Sequence, residues 1–143
     1  MPATDTISDR AQEIVDEFAL FNDWMGRYEH LMELGDDIPV IDDDDKTDDH
    51  YVHGCQSDVW IRADYDEDDN VLRFEGDSNA KITKGLAALV IRVLNEQPPE
   101  AVESAEFDFL DEIGLQDNLS SQRNNGLRAM IEQMRERART FRN

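Results

Sequence analysis

Val52-His53-Gly54-Cys55-Gln56-Ser57-Asp58-Val59-Trp60-Ile61 takes the chain from a polar loop into a strand with alternating apolar residues. Gly54 allows a sharp bend, because glycine adopts backbone conformations that other residues avoid. The alternation continues to Tyr65, and Val71-Leu72-Arg73-Phe74-Glu75 is predicted to be the antiparallel partner of this strand. We therefore expect a hairpin with a cysteine-bearing loop at its entrance, and we expect Gly76 to end the second strand.

Two helices are predicted before the hairpin. Apolar residues recur with helical spacing over 7–20, and a second helix follows Asn22 as its N-cap and ends at Gly35. Residues 36–49 contain eight aspartates. This composition is typical of a solvated loop rather than of a domain linker.

Helical patterns also follow the hairpin. Ser78 or Asn79 is predicted to cap a helix that runs to about Glu96, and Pro98-Pro99 ends it and opens a short helix. A short apolar segment of one or two helical turns comes next, with Phe107, Phe109, Leu110, Ile113 and Leu115. Strands in the middle and helices at both ends predict an α+β fold with a central antiparallel sheet.

The last predicted helix is capped by Ser120 or Ser121. Its apolar stripe is Leu127, Met130, Ile131, Met134, Ala138 and Phe141. Four arginines of this helix lie near one line along its surface: Arg128, Arg135, Arg139 and Arg142. They indicate a docking patch for an acidic partner, unless they only stabilise the end of the helix.

The length of 143 residues predicts one domain over residues 1–143. Acidic residues outnumber basic ones by 34 to 14, which gives a formal net charge of −20. Such a surface repels nucleic acids and anionic membranes, so we expect no partner of either kind. We hypothesise a halophilic source, because concentrated salt screens this repulsion.

Cys55 is the only cysteine. A single thiol forms neither an internal disulfide nor a cysteine-rich metal site, and it fits a reducing compartment, so we expect a cytoplasmic protein. The N-terminus has neither a basic region nor an apolar signal segment. Cys55 could instead be an ordinary small, buried apolar residue of the core. Its position in a polar loop favours a functional thiol.

A metal site is an alternative use of the same segment. His50, His53 and Cys55, with Asp58 as a fourth ligand, supply imidazole and thiolate groups that suit zinc. The short spacing in an extended segment disfavours this hypothesis, and we expect no metal. His53 is also a candidate for modulating the proton of Cys55, because histidine titrates near neutral pH.

Four blocks of the sequence carry a resemblance to a known family. The first is Gly54-Cys55-Gln56-Ser57, followed by Val59-Trp60. The other blocks are Leu31-Met32-Glu33-Leu34-Gly35, Gly76-Asp77-Ser78-Asn79-Ala80 with Thr83-Lys84-Gly85-Leu86, and Leu119-Ser120-Ser121-Gln122-Arg123-Asn124-Asn125-Gly126-Leu127. In their order along the chain, over roughly residues 15 to 140, they resemble the SufE family of sulfur acceptors that serve cysteine desulfurases, and the block with Cys55 is similar to the family signature.

The resemblance implies a fold similar to SufE and to the IscU-type cluster scaffold. It implies a sulfur carrier that is not an enzyme by itself and has no cofactor. Cys55 would take sulfur as a persulfide from a SufS-type cysteine desulfurase, which holds the pyridoxal phosphate. The carrier would stimulate that desulfurase and deliver sulfur to a SufBCD-type scaffold for iron–sulfur cluster assembly.

The resemblance also marks residues around the cysteine. Gly54, Gln56 and Ser57 would support its loop. Arg123 matches an arginine of the family, and its position at a helix start, where a cation is unfavourable, indicates a specific role. We expect it to pair with Asp58 or Asp77, or to face the loop.

The reactivity of Cys55 depends on the fraction of thiolate. Asp58 and the acidic 36–49 loop are expected to raise its pKa by charge repulsion, so activation would come from the partner or from loop amides. The apolar flanks Val52, Val59 and Trp60 suggest that the side chain is tucked inward until docking.

Three alternative functions remain open. One is a CsdE-type acceptor that serves another sulfur pathway. The second is a metal module that uses His50, His53 and Cys55. The third is a redox-sensing thiol. The sequence has no glycine-rich phosphate loop, no Ser-His-Asp set and no paired catalytic carboxylates.

Overall fold

A computed structural model describes residues 6–141. Its helices and strands are α1 (Ile7–Phe18), α2 (Trp24–Asp36), β1 (Val59–Asp66), β2 (Val71–Ser78), α3 (Lys81–Leu94), α4 (Pro99–Ser104), α5 (Phe109–Glu112), α6 (Leu115–Asn118) and α7 (Ser121–Phe141). A single 3-10 turn lies at Asp43–Asp45. Helices flank a central antiparallel pair of strands, which confirms the predicted α+β class.

The two strands pair over their whole length, from Val59 opposite Ser78 to Asp66 opposite Val71. The prediction that Gly76 ends β2 is wrong, because Gly76 pairs with Ile61 inside the ladder. A side chain at this position has no room, since a Cβ atom built there lies 3.1 Å from the carbonyl oxygen of Trp60. The glycine therefore permits a close approach within the sheet instead of ending it.

The segment between α2 and β1 runs along both edges of this hairpin. On the β2 edge, the Gly76 amide donates to the Pro39 carbonyl at 2.9 Å. On the β1 edge, the Val52 amide donates to the Val59 carbonyl at 2.8 Å, and the Ile61 amide donates to the His50 carbonyl at 2.9 Å. Residues 50–52 therefore act as a short third strand, and the cysteine lies in the loop that joins it to β1.

The N-cap of α2 is Asp23, whose side chain accepts from the Gly26 amide at 2.9 Å, so the prediction of Asn22 is wrong by one residue. Gly35 lies inside the last turn of α2, which ends one residue later. This helix packs closely on α3 through glycine, because a Cβ atom built at Gly85 lies 2.3 Å from the Leu31 carbonyl oxygen.

The central helix α3 is buried on most of its surface. Neither Ser78 nor Asn79 is its N-cap, so that prediction is wrong. The N-cap is Ala80, without a side-chain hydrogen bond. The Asn79 side chain bonds Asp58 instead, in the cysteine loop.

The start of α7 is as predicted, since the Ser120 hydroxyl accepts from the Arg123 amide at 3.2 Å. Its predicted apolar stripe is buried at Leu127, Met130, Ile131, Met134 and Ala138, and Phe141 packs against the core. Trp24 and Trp60 are half-buried. The short predicted segment after α4 forms two single turns, α5 and α6.

Candidate functional site

Cys55 lies near the tip of the loop formed by residues 53–58. The hydrogen bond between Val52 and Val59 closes the base of this loop. Gly54 has φ of +99°, a conformation that side chains rarely adopt, and it turns the chain just before the cysteine. The turn directs Cys55 toward α7, and the residue is half-buried.

The sulfur of Cys55 rests on the backbone of α7. Its thiol donates to the Gly126 carbonyl oxygen at 3.5 Å. A Cβ atom built at Gly126 would lie 3.2 Å from the Cys55 Sγ, closer than nearly all real contacts of this kind. The thiol is tucked inward, as its apolar flanks suggested, but the surface beneath the sulfur is helix backbone.

Burial raises the pKa of the Cys55 thiol. The direction agrees with the prediction, but charge repulsion from Asp58 and the acidic loop is not the cause. The Asp58 carboxylate instead accepts a hydrogen bond from Tyr51 at 2.9 Å. Because a free thiol already has a pKa of about 8.5, the raised value leaves Cys55 protonated at neutral pH.

Asp58 and Asn79 hold the end of the loop where it enters β1. The Asp58 amide donates to Asn79 Oδ1 at 3.1 Å, and the Asn79 amide donates to the Asp58 carbonyl at 3.3 Å. Since Asn79 directly precedes the N-cap of α3, these bonds tie the loop to the central helix. The loop is therefore fixed at its base on both sides.

Arg123 donates to the Tyr28 hydroxyl at 3.2 Å. The predicted pairing of Arg123 with Asp58 or Asp77 is wrong, because both acids bond other residues. The contact joins the first turn of α7 to α2. Arg123 lies one turn before Gly126 on the helix that supports Cys55.

Asp77 lies between two lysines, 2.8 Å from Lys46 Nζ and 3.4 Å from Lys84 Nζ. Burial opposes its ionisation, but the hydrogen bonds from Lys46 and the Ser78 amide, with both lysine charges, lower its pKa. Lys46 also sits over the Trp60 ring, 5.3 Å from its centroid. Asp77 therefore anchors the acidic loop to the end of β2.

His50 and His53 each contact a group other than the Cys55 sulfur. His50 Nδ1 lies 2.7 Å from the Asp45 carbonyl oxygen, and the exposed His53 lies 3.7 Å from Asp48. Within residues 6–141, no three histidine, cysteine, aspartate or glutamate side chains form a group that could hold a metal ion. The alternative of a metal module therefore has no ligand cluster to support it.

The predicted arginine patch on α7 is partly neutralised within the molecule. Arg135 donates to the Ala105 carbonyl at 2.5 Å, and Arg139 lies 3.4 Å from Glu103. Arg128 is exposed, and Arg142 lies outside the described residues. Two of the four arginines hold α7 against the preceding segment, and the docking patch for an acidic partner stays a prediction.

Sequence patterns missed four residues around the cysteine: Tyr28, Tyr51, Asn79 and Gly126. Asn79 was interpreted as a helix cap, and Gly126 had no assigned role. One signal was available, because a glycine inside a helical pattern often marks a close approach.

No helix in the described part of the chain is long and apolar enough to cross a membrane.

Comparison with known proteins places these features in a family. The family model SufE, described as an Fe-S metabolism associated domain, matches residues 12–138. An uncharacterized SufE-like protein of Rhizobium etli is 38% identical over 130 residues, which cover 89% of this chain and 88% of that protein. The Arabidopsis thaliana SufE-like protein 1, chloroplastic/mitochondrial, is 40% identical over 129 residues, which cover 90% of this chain and 34% of that protein.

The fold also matches a solved structure. The solution structure of a hypothetical protein from Thermus thermophilus has a TM-score of 0.75 and 22% identity, and it covers 92% of this chain and 94% of that chain. This likeness concerns the fold alone.

Proposed function

The chain belongs to the SufE family, whose domain is associated with iron–sulfur metabolism, and from that membership we propose that it accepts sulfane sulfur on Cys55. The donor is a cysteine desulfurase that carries sulfur as a persulfide. The observation that supports this role most directly is the position of Cys55, whose half-buried thiol lies in a loop that hydrogen bonds close at its base.

The transfer is a thiol exchange at sulfur. The Cys55 thiolate attacks the outer sulfur of the donor persulfide, forming a new S–S bond as the donor S–S bond breaks. The donor cysteine leaves as a thiolate, and Cys55 becomes the persulfide. No external oxidant or reductant is required. The proton of Cys55 must leave first, and the raised pKa keeps the fraction of thiolate small in the free protein.

The raised pKa of Cys55 fits a carrier that reacts only after docking. A basic group or backbone amides of the partner would stabilise the thiolate once the loop tip enters the desulfurase site. The exposed His53 lies at the start of this loop, two residues before Cys55, where it would contact the partner. Gly54, Gln56 and Ser57 would shape the loop.

Arg123 and Asp77 would act on the loop from outside it. Arg123 would hold the first turn of α7 through Tyr28, and Asp77 would hold the acidic loop through Lys46. Both residues are therefore proposed to keep the surroundings of Cys55 in place.

The proposed route continues from a SufS-type desulfurase, which holds the pyridoxal phosphate, to a SufBCD-type scaffold. The carrier would also accelerate the desulfurase by removing its persulfide. We propose that residues 1–143 act as one sulfur-acceptor domain. A cytoplasmic location is part of the proposal, because a lone reactive thiol needs a reducing compartment.

Intact-protein mass spectrometry tests the function. The protein is mixed with a SufS-type desulfurase and cysteine, with Cys55→Ser in parallel. The expected result is a gain of one sulfur atom on the wild type alone, with faster release of alanine. A wild type that gains no sulfur and does not accelerate the desulfurase would contradict the proposal. A parallel reaction with a different cysteine desulfurase separates the SufE role from the CsdE role.

A further inference from the structure

Four residues on one face of α7 contact the segment that leads to the cysteine. They are spaced by three or four residues, so they lie one helical turn apart. The contacts are Arg137 with the Asp49 carbonyl, Gln133 with the His50 carbonyl at 3.3 Å, Ala129 Cβ at 3.4 Å from a Cβ atom built on Gly54, and Gly126 with Cys55. The segment therefore follows the helix from Asp49 to the cysteine.

The side chains on this face shorten toward Cys55. Arginine and glutamine reach out to backbone carbonyls at one end, alanine faces Gly54 in the middle, and glycine ends the series. The segment is consequently closest to the helix at the cysteine. A larger residue at position 126 would hold the sulfur away from α7.

A structural reason for the glycine is found at Cys55. Glycine in a helix interior is less favourable than alanine. The three heavy atoms nearest to a Cβ atom built at Gly126 are the Sγ, Cα and Cβ atoms of Cys55, at 3.2, 3.6 and 3.6 Å. Glycine at position 126 thus lowers the stability of the helix but leaves space for the Cys55 side chain.

We propose that Gly126 is a positioning residue, which seats the Cys55 sulfur on α7 and keeps the thiol half-buried and slow to react. The seat explains why burial raises the pKa of this thiol although the loop is otherwise exposed at His53 and Gln56. For sulfur transfer, the role of Gly126 rests on the function proposed above.

Gly126→Ala tests the seat in the isolated protein. The rate at which iodoacetamide alkylates Cys55 is measured across pH in this variant and in the wild type. We expect the midpoint of the pH profile to fall and the rate at pH 7 to rise about threefold or more, because a pKa lower by half a unit triples the thiolate fraction. An unchanged midpoint and rate would overturn the proposal.

Asn125→Ala is the matched control. It replaces an exposed neighbour on α7 and also raises helix propensity, without a contact to Cys55. We expect its alkylation profile to equal that of the wild type. A profile that shifts as much as in Gly126→Ala would show a general effect on the helix and overturn the seat.

Thermal melting in a Cys55→Ala background provides a second measurement. Without the sulfur, Gly126→Ala should raise the melting temperature by more than it does in the presence of Cys55. Unfolding of the variant only when Cys55 is present would also support the seat. An equal change in both backgrounds, or unfolding in both, would overturn it.

The desulfurase assay separates the two proposals. If Gly126→Ala shifts the alkylation profile but the wild type gains no sulfur, the seat stands and the function fails. If the wild type gains sulfur and the alkylation profile of Gly126→Ala is unchanged, the function stands and the seat fails.

Discussion

Asn79 and Asp58 bind each other through backbone and side chain at once, with the Asp58 amide on Asn79 Oδ1 at 3.1 Å and the Asn79 amide on the Asp58 carbonyl at 3.3 Å. This pair fixes the exit of the cysteine loop to the start of α3. An Asn79 side chain that was expected to cap the helix therefore stabilises the reactive loop instead.

Replacing Asn79 by alanine removes the side-chain half of this pair. We expect Asn79→Ala to lower the free energy of unfolding by about 1 kcal/mol, the usual value of a hydrogen bond in a partly exposed position. Because the loop exit loosens, alkylation of Cys55 should also become faster. Chemical denaturation and thiol alkylation measure the two effects.

Asn22→Ala is the control, since Asn22 is exposed and is not the N-cap of α2. It should change neither quantity. Equal alkylation rates of Cys55 in Asn79→Ala and in the wild type would show that the Asn79 side chain does not hold the loop exit.

The ion pair of Glu17 with Arg92 should make stability depend on pH. The hydrogen bond from Arg92, and then that from His30, lower the pKa of Glu17 against the opposing effect of burial. The contribution of the ionised group is full above the ordinary glutamate pKa of about 4.3 and is lost as pH falls through the lower folded-state value.

We therefore expect Glu17→Gln to melt below the wild type at pH 7, with the difference narrowing as the pH falls to about 3. Comparing the two proteins cancels the general effect of protonating other carboxylates. A difference in melting temperature that stays constant across this range would contradict a lowered pKa of Glu17 in the folded protein.

Gly85→Ala should be strongly destabilising. The added Cβ atom would lie 2.3 Å from the Leu31 carbonyl oxygen, and backbone cannot move as a side-chain end can. Overpacking of this kind costs about 1 to 3 kcal/mol, and we expect the upper end or more. Denaturant unfolding gives the value. A loss below 1 kcal/mol would mean that α2 and α3 separate easily.

Salt should raise the melting temperature. With a net charge of −20, the folded chain concentrates like charges that the unfolded chain spreads apart. Because the Debye length falls to about 3 Å at 1 M salt, KCl should relieve much of this repulsion. Melting curves from low salt to molar KCl measure it, with sucrose as an uncharged control. A melting temperature that does not rise with KCl would contradict a halophilic source.

The hairpin and the long helices were predictable because local periodicity determines them. The alternation from Val59 and the stripe from Leu127 to Ala138 reflect burial on one face. Periodicity does not show which distant groups meet. The pairing of Asn79 with Asp58, and the sulfur of Cys55 on Gly126, depend on contacts across 21 and 71 residues. The contact of Cys55 with α7 also buries the thiol, and burial raises its pKa.

The covered edges of the hairpin carry a consequence for association between molecules. An uncovered strand edge invites pairing with a strand of another copy, above all when salt has removed the charge repulsion. Residues 50–52 block that pairing at β1, and they also lead to Cys55. A loop that opened at its base would leave the edge of β1 unpaired, whereas one that opens at its tip lets the thiol emerge while residues 50–52 still cover that edge.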